Sequence, residues 1–209
     1  LFPYTTLFRS FYSTLAIWVG AVVMAAMLKV TVADSTKEKL FHPKEYQLYI
    51  GRILLLIIIG FMQSALICLG DLFFLGIQCK HPVMFVLTGM FTSFVYVNLI
   101  YALTVSFGDI GKAIAVVLMV MQVAGSGGTF PIQCAPKFFQ VVYPLLPFTH
   151  SMNAMRECIA GFYGTTYATE LGKLAIFLVP SLLLGLLLRK PIIKMNEAFM
   201  EKLESTHLI

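Results

Sequence analysis

ILLLIIIGFMQSALICLGDLFFL, residues 53–75, is the stretch on which the fold turns, and Asp71 is its one formally charged residue. At ~1.5 Å per residue, a helix of this length crosses the ~30 Å hydrocarbon core of a bilayer. The rest of the chain agrees with it. Hydrophobic residues make up 59% of the sequence and charged residues 12%, with a mean hydropathy of +0.87. A soluble domain carries roughly a quarter charged residues. Apolar runs this long call for lipid rather than a single packed core.

Working outward from that run, four further spans are predicted. They cover about 11–28, 83–107, 110–124 and 171–188, with the central run itself extending over about 50–75. Tyr12 and Trp18 fit the interfacial end of the first span. The fourth is short for a full crossing and meets the glycine-rich AGSGG at 124–128, so it is expected to break or end near one face. Between it and the last span, Pro131, Pro136, Pro144 and Pro147 divide the chain into short aromatic pieces, because proline stops helices and disfavours helical geometry in its predecessor. These pieces read as short helices at one interface. The expected fold is therefore an all-α membrane protein of about five transmembrane helices, with a short-helix interfacial or re-entrant segment before the last span. The membrane domain covers 11–195 and a charged tail 196–209.

The chain opens on Leu1 with no signal-peptide pattern, so it reads as part of a longer protein. LFPYTTLFRS, residues 1–10, matches nothing in the organisation that follows and is set apart as a foreign tail.

Charge orients the spans. A basic loop holds Lys29, Lys37, Lys39, Lys44 and Arg52; the GDIGK turn adds Lys112; the C-terminal part adds Arg189, Lys190, Lys194 and Lys202. The opposite side holds Lys80, Lys137, Arg156 and Lys173. The positive-inside rule puts the first group in the cytoplasm, the N-terminus of the chain outside and the C-terminus inside. The net charge of +5 is spread along the chain, unlike the concentrated basic face that nucleic acid requires.

The segments LAIWVGAVV (15–23), GKAIAVVLMVMQVAGSGGTFPIQ (111–133) and YPLLPFTHSMNAMRECIAG (143–161) carry a family likeness. They resemble the C-terminal membrane domain of the YhgE/Pip (phage infection protein) family, which is related to the type-2 permeases of ABC exporters. The resemblance implies a missing first helix and a missing extracellular domain. It also implies a bacterial cytoplasmic membrane location, a second copy or homologous permease subunit as partner, and a separate ATP-binding cassette subunit. The absence of a Walker sequence means that any ATP-hydrolysing subunit is a different chain.

Several features carry two readings. Gly125, Ser126, Gly127 and Gly128 with Pro131 form either a hinge or exit region, or a helix C-cap with a tight turn. Lys37, Lys39 and Lys44 either contact a cytoplasmic partner or set topology on anionic lipid. Asn153, Arg156 and Glu157 lie in an outer amphipathic segment, where a solvated face competes with a substrate clamp. Asp71, Gln63 and Asn98 fall in or near apolar spans, where polar groups are costly. Ser126 and His150 invite a protease dyad, but spacing alone cannot show that the two are in contact. Cys79 and Cys134 fall on one side, where a disulfide can form in an oxidising compartment. With no CxxC pair, HExxH or nucleophile elbow, no catalytic, metal or cofactor residue is assigned. Two functions remain in view: export across the membrane, or a non-transporting anchor for an extracellular domain that acts as phage receptor or secretion-system component.

Overall fold

The computed structural model describes residues 3–27, 45–128 and 130–187, and among them every regular element is helical. Four long helices lead: α1 (Pro3–Met27), α2 (Glu45–Phe73), α3 (Pro82–Phe107) and the shorter α4 (Asp109–Gly125). Three short helices follow, α5 (Lys137–Val142), α6 (Pro147–Ala160) and α7 (Thr166–Ile176), and then α8 (Leu178–Leu182). Four stretches are long and apolar enough to cross a membrane: Phe8–Met27, Ile50–Phe73, Pro82–Phe107 and Thr166–Gly185. Ile110–Gly125 is a shorter apolar helix, the short fourth span that the sequence predicted.

α3 is the central post. Val95–Asn98 and Ile100–Ser106 are all buried, so this helix meets neighbours on every side. α1 buries Ser10, Ser13, Thr14, Ile17, Trp18, Ala21 and Ala25 at helical spacing, against α3 and also α2, α4 and α6. Small residues there let two backbones approach closely, which is how membrane helices gain dispersion contacts without a hydrophobic effect between them. α2 is peripheral. Ile50, Leu54, Ile58, Met62, Leu66, Leu69 and Phe73 form an exposed stripe at steps of three and four residues. In water such a stripe would be an aggregation site; against acyl chains it is solvated. At the turn between α3 and α4, Gly108 takes a positive φ of 62° and its N–H closes on Thr104 O at 2.8 Å. A side chain would strain that conformation.

Two expectations need correction. Trp18 is not an interface anchor: it is fully buried. Its ring stands edge-on to Tyr96 at 4.7 Å, and Nε1 donates to Ala115 O at 3.4 Å. Tyr12, 58% exposed, keeps the lipid-facing role expected of both. α1 begins at Pro3, inside the stretch that the sequence set apart. The last span starts at Thr166 rather than near 171, and it is broken. Helix gives way to a turn at Phe177, restarts over Leu178–Leu182 and widens into a π-turn at Leu183–Leu187. Pro180 explains the first break, because it has no N–H to return to Ile176 O. The basic loop with Lys37, Lys39 and Lys44, and the C-terminal tail, lie outside the described residues.

The proline-divided stretch follows its sequence closely. Pro131 precedes a 3-10 turn at Ile132–Cys134, Pro136 precedes α5, Pro144 sits in a second 3-10 turn at Tyr143–Leu145, and Pro147 opens α6.

Candidate functional site

α4 ends where three glycines fall in four positions, and the chain needs them. The Ser126 N–H returns to Gln122 O at 2.9 Å, closing the last turn. Gly127 then takes φ 65°, a left-handed value. A Cβ on Gly128 would run into the Phe11 ring, and one on Gly125 would press on Phe139 and Leu146. The stretch is a close-approach turn that lays the proline-divided segment over the end of the bundle. Pro131 then sets the start of the next 3-10 turn.

That segment delivers α6 into the bundle. Ten of its residues are buried, from Pro147 to Ile159. Only Asn153, Arg156, Glu157 and Ala160, one face at helical spacing, are less than fully covered. The expected amphipathic helix is therefore present, but its main face is core rather than interface.

The two ends of α6 are held differently. At the C-terminal end, the α2–α3 turn caps the free carbonyls. Lys80 N–H donates to Ile159 O at 3.3 Å and His81 N–H to Cys158 O at 3.2 Å. His81 also stacks on Phe162 at 4.3 Å. At the N-terminal end, Phe148 packs edge-on to Phe11 at 5.4 Å, and its N–H donates to Gln122 Oε1 at 3.2 Å. Around that single bond, Gln122 Nε2, Ser126 Oγ and Thr149 Oγ1 are buried with no hydrogen-bond partner among the described residues. Each such group costs about 1–3 kcal/mol. One end of the helix is satisfied; the other is not.

Between the ends run polar crosslinks. The Tyr96 and Ser151 hydroxyls are hydrogen-bonded to each other. His150 Nδ1 lies 2.7 Å from Glu170 Oε2 on α7, and His150 Nε2 lies 3.0 Å from Pro144 O. Glu170 also accepts from Lys173 at 2.9 Å. Thr88 meets the Tyr167 hydroxyl at 2.8 Å. These bonds tie α6 to α3 and α7, and α3 to α7.

Of the residues singled out from sequence, Asn153 and Arg156 come together, with Arg156 Nη1 donating to Asn153 Oδ1 at 3.3 Å. Glu157 does not join them. Its carboxylate accepts the Tyr163 N–H at 2.7 Å in the loop after α6. Ser126 and His150 form no dyad, because both ring nitrogens of His150 are engaged elsewhere. Cys79 and Cys134 are free thiols: Cys79 Sγ donates to Cys158 O at 3.2 Å and Cys134 is exposed. Gln63 donates to Ala16 O across α1 and α2, Asn98 to Phe94 O within its own helix, and Asp71 accepts from Ser13. No group of His, Cys, Asp and Glu suited to a metal occurs among the described residues.

Sequence reasoning missed Gln122, Thr149, Tyr96, Ser151, Tyr143 and Glu170. Only Glu170 carried a usable signal, an acidic residue at the head of an apolar span.

Comparison with known proteins agrees with the architecture. The family described as ABC-2 family transporter protein matches residues 1–187. The uncharacterized protein YhgE of Bacillus subtilis (strain 168) is 27% identical over 158 residues, 75% of this chain. The chain spans 20% of that relative's length. No solved structure matches it.

Proposed function

The chain belongs to the ABC-2 transporter family, and from that premise we propose that it is the membrane domain of an export-type permease in which α6 is the moving part. The observation that carries this reading is the seam between α4 and α6, where Gln122 Nε2, Ser126 Oγ and Thr149 Oγ1 are buried without partners. A static anchor has no use for such a seam, since apolar contacts would hold it at lower cost. Opening the seam lets water or a polar substrate group satisfy all three atoms and offsets the loss of the Phe11–Phe148 contact. The capped C-terminal end of α6 supplies the pivot, and the glycine turn supplies the slack.

In this reading the protein sits in the bacterial cytoplasmic membrane with the α6 end outside. It works with a second copy or a homologous permease subunit, and draws energy from a separate ATP-binding cassette subunit. A second reading keeps one supporting fact: with 20% of the relative's length in this chain, the helices would serve as anchor for the remainder.

One experiment separates them. Cysteines at Gln122 and Phe148, in a chain cleared of its four native cysteines, are oxidised in cells of a deletion strain. A moving seam predicts that the crosslink abolishes complementation and that reduction restores it. Complementation that persists with the crosslink complete overturns the permease reading and leaves the anchor.

A further inference from the structure

Among the described residues, Arg156 is a charge without a countercharge. Its Nε donates to Ser10 Oγ at 3.3 Å and its Nη1 to Asn153 Oδ1 at 3.3 Å, both neutral acceptors at long range. Its Nη2 is buried with no hydrogen-bond partner among the described residues. The neighbouring carboxylate, Glu157, is turned away onto the Tyr163 N–H. A guanidinium does not shed its proton in proteins, so this group remains a cation inside a membrane domain. Such a charge is expensive unless something negative meets it.

Its surroundings are arranged for an oxyanion. Nη2 has its protons unspent, and together with Nη1 it can complete a planar fork to two oxygens of one anionic group once the adjacent seam opens. Asn153 Nδ2 donates to the Tyr143 hydroxyl at 3.4 Å, which leaves the Tyr143 proton free to be donated in turn. Tyr143 also stands against the glycine turn, its ring 3.6 Å from where a Cβ on Gly127 would be. The donors therefore lie beside the seam that the proposed movement opens. The stretch that carries Tyr143 exposes Phe138, Val141 and Leu145, which suits contact with acyl chains at an interface.

We propose that Arg156, Tyr143 and Asn153 form a binding site for the phosphate group of an anionic amphiphile. The site names the substrate class for the export reading and rests on it, although binding itself requires no transport.

The full chain, purified in mild detergent, is tested by thermal shift and native mass spectrometry against three probes: phosphatidylglycerol, phosphatidylcholine and inorganic phosphate. The expected result is retention of phosphatidylglycerol and a raised midpoint, with no comparable effect of phosphatidylcholine. Arg156→Gln weakens that binding roughly tenfold or more, as loss of a charge-assisted hydrogen bond does. Tyr143→Phe, which removes one hydroxyl and little else, weakens it less, and Lys137→Gln leaves it unchanged. If Arg156→Gln fails to fold, Tyr143→Phe alone decides the matter. Inorganic phosphate acting as strongly as the lipid would place the ligand in solution and overturn the amphiphile. Equal retention of both lipids, or binding unaffected by Arg156→Gln or by Tyr143→Phe, overturns the site. Lipid binding that survives while the Gln122–Phe148 crosslink leaves complementation intact would sink the permease reading and spare the site.

Discussion

His150 shows how much of this membrane domain depends on single polar side chains. Its imidazole lies between Glu170 Oε2 at 2.7 Å and Pro144 O at 3.0 Å, both of them acceptors, so it joins α6 to the last span and to the turn before α6. His150→Ala leaves Glu170 with Lys173 as its one remaining partner and opens a void beside Phe177. The expected loss is about 1–3 kcal/mol, read as a lower midpoint in thermal unfolding of the detergent-solubilised protein. Glu170→Gln is expected to cost less, because the amide oxygen still accepts from Nδ1. Cys79 and Cys134, both free thiols, differ in reactivity. Burial pushes the Cys79 thiol above its ordinary value, while a hydrogen bond from the His81 backbone pulls it partly back. The thiolate attacks the maleimide, so raising the pH from 7 towards 9 steadily increases the Cys79 rate, with no plateau in that window. At pH 7 exposed Cys134 should react roughly tenfold faster or more, as thiolate access governs both rates. Equal rates at neutral pH would contradict the burial of Cys79.

Elements show where local rules were enough and where they were not. Pro131, Pro136, Pro144 and Pro147 cut the chain where the sequence says, because a fixed φ and a missing N–H act on the immediate neighbours alone. The short fourth helix and its glycine stop were legible for the same reason. The burial of Trp18 was not. A tryptophan near the start of an apolar helix looks like an interface anchor until Tyr96 and Ala115 O, from two other helices, close around it. The His150–Glu170 pair was equally hidden, since it joins two elements that the sequence could not place side by side. Asn153 and Arg156 were visible as a polar face, but the missing countercharge only emerged once Glu157 was seen to turn towards Tyr163. The glycine turn belongs to this scale and can be tested there. Gly128→Val places a side chain on the Phe11 ring and should cost about 1–3 kcal/mol, as overpacking does. Phe11→Ala in the same chain should recover part of that loss. Additive losses would show that the two positions do not touch.

At the scale of the whole molecule, the five apolar stretches and the α6 end impose one sidedness. α1 and α3 begin, and α2 and α4 finish, at the end where α6 is capped by Lys80 and His81. The other end carries the α3–α4 turn with Lys112; in sequence, the basic stretches 29–52 and 189–202 follow α1 and the last span. Each lysine or arginine kept beside an anionic cytoplasmic surface contributes about 1 kcal/mol. In the orientation proposed above, the basic end is inside, and α6, with Arg156 and the unpaired seam, faces out. This orientation has a direct consequence for Cys134, which is exposed on the turn between α4 and α5. In intact cells a membrane-impermeant maleimide should label Cys134 and fail to label a cysteine placed at Lys112. Permeabilising the membrane should make both reactive. The reverse pattern would put α6 on the cytoplasmic face, where the exit role assigned to its seam cannot operate. Labelling of both positions in intact cells would mean that α4, the helix between them, does not carry the chain across the bilayer.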